Sequence, residues 1–106
     1  MDIDDKTIEE IVRRILTVAK PDKIILFGSA AMGQMTRDSD IDLLIVEPEP
    51  IDRRREYVRI RRALWDFDYP FDILFIGTQW FEESKDVVGG IAYPANKYGK
   101  VIYEAA

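Results

Sequence analysis

The sequence predicts an α/β (α+β) fold: one mixed sheet of about four strands with helices packed against it. Three observations lead there. Segments with apolar residues at helical spacing alternate with short, β-rich apolar runs. The connection between the first two runs, Gly28 to Asp40, is compact. The connection between the second and third contains a helix long enough for a right-handed crossover, so that pair is expected to be parallel. If the first pair is antiparallel, the end of strand one and the starts of strands two and three meet at one edge.

The elements follow in order. From Thr7 to Ala19, Ile8, Ile11, Val12, Ile15, Leu16 and Ala19 recur on one helical face, with Thr7 and Glu10 spaced as a capping box and Pro21 closing the segment. Lys23 to Phe27 is a buried strand closed by Gly28. Ile41 to Glu47 is a second strand, apolar on both faces beyond Asp42, so protein is expected to cover both; Pro48 and Pro50 end it. Ile51 to Trp65 is helical again, with Tyr57, Ile60 and Leu64 as the expected buried stripe. Phe71 to Ile76 reads as a third strand, Trp80 to Val88 as a short helix broken by Gly89 and Gly90, and Lys100 to Glu104 as a last strand. Residues 1–106 read as one domain without repeats or linkers.

Composition narrows the chemistry. With 47% hydrophobic and 33% charged residues the chain reads as globular. Its formal charge of -5 opposes a general nucleic-acid coat unless a local basic patch intervenes. The chain has no cysteine and no histidine, which excludes disulfides, Cys/His zinc sites, a cysteine nucleophile and a Ser-His-Asp triad. Chemistry must run on carboxylates, hydroxyls and bound metal. The acidic start, MDIDDKTIEE, does not read as a signal peptide, and no apolar run is long enough to span a membrane, so a cytoplasmic location is expected.

The expected shared edge collects the unusual residues. Gly28 and Ser29 leave strand one, Asp40 and Asp42 open strand two, and Asp72 lies near the start of strand three. Residues two apart on a strand share a face, so Asp40 and Asp42 can grip the same ion or ion pair. Carboxylates on adjacent strands suit Mg²⁺, which prefers oxygen ligands and keeps positions open for phosphate. A Gly-Ser step lets backbone N–H groups and a hydroxyl approach phosphate closely, and a helix starting there would add its N-terminal dipole. Each piece alone also reads as a turn or a solvated strand edge. Together, on strands that otherwise bury every neighbour, they read as a site.

The stretch LFGSAAMGQMTRDSDIDLLIV resembles the signature of the polymerase-beta-like nucleotidyltransferase superfamily: Gly-Ser, ten further residues, then Asp-x-Asp with Ser39 just before it. The small size is similar to the minimal nucleotidyltransferase (MNT) group, whose members pair with HEPN-domain proteins in toxin-antitoxin modules. The resemblance implies a polymerase-beta-like nucleotidyltransferase fold, with Asp40, Asp42 and Asp72 as catalytic residues and ligands of two Mg²⁺ ions. It further implies Asp72 as candidate base, Gly28 and Ser29 holding the phosphates, and ATP as nucleotide substrate. AMP would be transferred to a hydroxyl, a tyrosine of a HEPN toxin, and the chain would be the antitoxin of a type VII-like module.

The pattern is incomplete at Ala30 and Met32, where many relatives carry arginine. Arg37, or members of the cluster Arg53, Arg54, Arg55, Arg59, Arg61 and Arg62, are candidate substitutes. That cluster otherwise reads as a solvated face or as a docking surface for an acidic partner or RNA. Trp65, Phe67, Tyr69, Phe71 and Phe75 are expected mostly in the core, while Tyr93, Tyr98 and Tyr103 are candidates for an exposed edge. Two functional readings follow: a catalytic nucleotidyltransferase, or an MNT-like subunit that neutralises its partner by contact alone.

Overall fold

The computed structural model describes residues 3–33 and 39–106. Its elements are α1 (Asp5–Leu16), β1 (Lys23–Phe27), β2 (Ile41–Glu47), α2 (Arg53–Ala63), β3 (Phe71–Gly77), α3 (Thr78–Ser84), α4 (Ala92–Tyr98) and β4 (Lys100–Glu104). The strands form one mixed sheet in the order β3-β2-β1-β4. β2 and β3 run parallel, and β1 is antiparallel to both β2 and β4. These directions bring the end of β1 and the starts of β2, β3 and β4 to one end of the sheet. Glu47 and Gly77, the last residues of β2 and β3, lie at the other.

Strand alternation divides the core between the two faces. Ile41, Leu43 and Ile45 of β2 pack with Ile24 and Leu26 of β1 against Ile11 and Ile15 of α1 and Ile60 of α2. Leu44 and Val46 point the other way, with Ile25 and Ile76, onto Phe81 of α3 and Ala92 and Ala95 of α4. Each such aliphatic side chain contributes about 1.5 to 3 kcal/mol by leaving water. β2 therefore has protein on both faces, as its continuous apolar run requires.

Helix ends differ from the sequence reading. Asp4, not Thr7, caps α1, its carboxylate accepting the Thr7 N–H at 2.7 Å. An aspartate three residues before a threonine is an equally good cap, so the helix begins earlier. Glu10, expected to close a capping box, instead accepts from Arg13 and Arg14 one turn on. Thr17 ends α1 by donating its hydroxyl to the Arg14 carbonyl at 2.6 Å, and Ala19 lies beyond the helix. Arg14 then ties α1 to the turn after α2, donating to the Ala63 carbonyl at 3.1 Å and to Asp66 at 2.5 Å.

The aromatic and C-terminal expectations also need correction. Of the stripe expected on α2, Ile60 and Leu64 are buried, but Tyr57 is exposed and lies under the Arg61 guanidinium. Among the aromatics before β3, Phe71 is buried and Phe67, Tyr69 and Phe75 are half-buried, whereas Trp65 is 81% exposed. The short helix expected from Trp80 to Val88 is α3, which starts and stops earlier. α4 has no counterpart in the sequence reading: Pro94 argues against a helix interior but fits a first turn, where its missing N–H costs nothing. Tyr98 is exposed, while Tyr93 and Tyr103 are half-buried. No described helix is long and apolar enough to cross a membrane.

Candidate functional site

Asp42 is the second residue of β2, and its Cα partners are Phe27 on β1 and Asp72 on β3. Ladder partners point to the same face, on strands about 4.8 Å apart. Asp42 and Asp72 thus stand side by side on the face that carries Leu44 and Val46. Further along, α3 and α4 cover that face. At this end it stays open: Asp72 is exposed, and Leu74, two residues beyond it, is 37% exposed. A hydrogen bond from the Ile41 N–H to the Pro70 carbonyl at 2.8 Å and one from Arg61 to the Phe71 carbonyl at 3.0 Å fix the starts of both strands.

The electrostatics of this end centre on Asp42. It is half-buried, and its carboxyl is pushed above the ordinary aspartate range by burial first, then by the charges of Asp72 and Asp40. Asp40 lies just before β2 and is exposed. The structure therefore joins the three predicted aspartates electrically and places Asp42 and Asp72 in register. Among the described residues no group of three carboxylates is drawn together as a metal cage.

Gly28 completes the arrangement. It follows the last residue of β1 with φ of +70°, and a Cβ placed on it would stand 2.1 Å from Asp42 Oδ2 and 3.2 Å from its Cγ. Only glycine suits both that conformation and that approach. Its backbone forms one wall of the Asp42 carboxylate, a contact that spacing alone does not reveal. Mutually repelling hard oxygen donors, one of them half-buried and walled by backbone, fit a hard divalent cation such as Mg²⁺.

The Gly-Ser step itself departs from expectation. Residues 28–33 form turns, not a helix, so within the described residues no helix dipole supports Gly28 and Ser29. Ser29 is half-buried, Ala30 is 9% exposed and Met32 is 55% exposed. Arg37 lies outside the described residues. Of the arginine cluster, Arg53, Arg54, Arg55, Arg59 and Arg62 are exposed on α2, and Arg61 is engaged by the Phe71 carbonyl. α2 packs on the opposite sheet face from Asp42 and Asp72.

The family model for the nucleotidyltransferase domain matches residues 5–93. The chain belongs to this nucleotidyltransferase domain family. Its match takes in α1 and the whole of β1, β2, α2, β3 and α3, and with them both in-register aspartates and the Gly28 turn. No curated protein matches the chain. Among solved structures, a toxin-antitoxin bound to AMP-PNP is similar at 18% identity and a TM-score of 0.70, over 92% of this chain and 73% of that one. A mutant of the toxin-antitoxin MntA-HpeT is similar at 17% identity and a TM-score of 0.65, over 97% of this chain and 75% of that one. These likenesses agree with the nucleotidyltransferase fold in its mixed four-stranded form.

Proposed function

We propose that the chain is a Mg²⁺-dependent nucleotidyltransferase that moves AMP from ATP onto a hydroxyl, a tyrosine of a HEPN toxin, and so serves as the antitoxin of a type VII-like module in the cytoplasm. The observation that carries this reading is Asp42, in register with Asp72 and walled by Gly28, its carboxyl raised in pKa by burial first and then by Asp72 and Asp40. The AMP-PNP-bound toxin-antitoxin of similar fold supports an adenine nucleotide and a toxin partner.

Asp40, Asp42 and Asp72 would hold two Mg²⁺ ions, whose chemistry when bound is to neutralise triphosphate charge and acidify the attacking hydroxyl. The turn at Gly28 and Ser29 offers backbone N–H groups and a hydroxyl to the phosphates. Asp72, the more exposed of the two in-register carboxylates, accepts the proton as the acceptor oxygen bonds to the α-phosphorus and pyrophosphate leaves with the electron pair of the broken P–O bond. The open shelf beside Leu74 gives a protein acceptor room to approach, since α3 and α4 stop short of it.

Contact-only neutralisation is the second reading, and the turn favours it in one respect: Ala30 and Met32 bring no cation to the triphosphate. Incubation with α-labelled ATP, Mg²⁺ and a candidate HEPN toxin separates the two. Label on the toxin with release of pyrophosphate is expected. Neutralisation of the toxin with no label and no thermal shift by ATP and Mg²⁺ would leave contact as the function.

A further inference from the structure

The end of the sheet away from the aspartates carries a second polar feature. Glu47 closes β2 on the same parity as Ile41, Leu43 and Ile45, so its side chain points into the layer beneath α2. It is only 5% exposed, and its Oε1 has no hydrogen-bond partner. Glu56 of α2 faces it, and Asp22, before β1, adds a third negative charge nearby while accepting a hydrogen bond from the Thr78 hydroxyl at 2.5 Å. Leucine or isoleucine at position 47 would simply have continued the core.

A cavity of about 380 Å³ opens onto this carboxyl pair, toward the low end of the roughly 300 to 1,000 Å³ range of small-molecule sites. Lys20, Arg55 and Arg59 line it together with Glu47, Glu56 and Asp52, whose carboxylate is engaged in capping α2 by accepting the Arg55 N–H at 3.1 Å. None of the three cations forms an ion pair within the described residues. The cavity thus has an acidic floor, one of whose oxygens is buried and unsatisfied, and a basic rim.

We propose that this cavity binds a small zwitterion of amino-acid type, its cationic head between Glu47 and Glu56 and its carboxylate among Lys20, Arg55 and Arg59. Each alternative charge pattern meets an opposing group. The rim repels a polyamine that lacks an anion, and the floor repels a simple anion. A cationic head relieves the repulsion between Glu47 and Glu56, while the three unpaired cations are left for the other end of the guest.

Calorimetry on the full chain at pH 8 tests this, with L-arginine and L-lysine as probes. Saturable binding of at least one is expected, weaker by on the order of tenfold for the matching amine without a carboxylate, agmatine or cadaverine. Glu47→Gln should weaken binding by a similar factor, and so should Arg59→Ala, an exposed change that leaves the core intact. Repeated at pH 6, where the carboxyl pair still holds a proton that the guest displaces, the heat should also differ between buffers of unlike ionisation enthalpy. Absence of saturable heat with both amino acids at millimolar concentration would overturn the proposal. So would binding that Glu47→Gln and Arg59→Ala leave unchanged.

Discussion

Both ends of the sheet bring carboxylates together, and they relieve the repulsion in different ways. At the aspartate end Asp72 and Asp40 stay in water, and only Asp42 is partly withdrawn, against the Gly28 backbone. At the far end Glu47 is buried beneath α2 with Glu56 facing it, and its pKa rises to about 7, chiefly by burial and then by Glu56 and Asp22. Water screens the first cluster and leaves its charges available. The second keeps a proton for as long as the pH allows. Open carboxylates of one sign are a device for binding cations, whereas buried ones become a device for sensing protons or for holding a guest that replaces them.

The sharpest way to separate the two ends is to remove one charge at the first. Asp42→Asn keeps the volume and takes away a negative charge that the proposed chemistry requires. AMP transfer should fall about a thousandfold or more. Stability without metal should hold or rise, because the variant removes the carboxylate that Asp72 and Asp40 repel. Turnover assays and urea unfolding of the same preparations check both halves, and unfolding of the variant would show that the carboxylate serves the fold instead.

At the second end the expected signature lies in pH. Glu47 has an ordinary value of 4.5 and a folded value of about 7, so between these limits the folded chain binds more protons than the unfolded one. Stability should therefore decline as pH rises from about 4.5 to 7 and level off above, with a total near 3 kcal/mol if the whole difference is expressed. Glu47→Gln should flatten this decline. Denaturation midpoints at pH 5 and pH 8 for both proteins measure it, and equal slopes would remove Glu47 from the account.

Gly28→Ala joins the comparison from the backbone side. The added methyl meets Asp42 Oδ2 in a region of φ that side chains rarely adopt, so it should cost between about 2 and 3 kcal/mol of stability and displace the Asp42 carboxylate. Chemical unfolding measures the first effect. Transfer activity measures the second, and it should fall further than Ser29→Ala lowers it. A folded, fully active variant would separate the glycine from the site.

The two ends were unequally legible in the sequence. The strands, their sheet and the meeting of β1, β2 and β3 at one edge follow from apolar runs and connection lengths, because a compact link and a helix-containing link leave few arrangements. Asp42 beside Asp72 follows in turn, since both sit second in parallel strands. What sequence could not give is long-range. Gly28 against the Asp42 carboxylate depends on how the turn folds back, and Tyr57 facing outward depends on the rotation of α2. Local competition hid the rest: Asp4 outranked Thr7 as a cap, and Pro94 disguised α4. Glu47 did carry a signal that went unused. It is the acidic member of the alternating series Ile41, Leu43, Ile45, a polar residue on the parity that the core claims.

The smallest expected effect decides between catalysis and contact. If the Ser29 hydroxyl holds a phosphate oxygen, Ser29→Ala removes one hydrogen bond to a charged group while the backbone N–H groups of the turn remain. Transfer should fall on the order of tenfold, with stability nearly unchanged because the half-buried hydroxyl is exchanged for a methyl of similar size. If a toxin docks on the exposed arginines of α2, its docking should not change, since Ser29→Ala lies at the turn and leaves them untouched. Those arginines give the opposite control: Arg54→Glu, Arg55→Glu and Arg62→Glu together should weaken the complex in a salt-dependent way and spare transfer to a small-molecule hydroxyl. Neutralisation in cells then reads out the difference. Failure of Asp42→Asn, with partial loss for Ser29→Ala, makes chemistry the basis of protection. Full neutralisation by both, alongside failure of the arginine replacements, makes it contact.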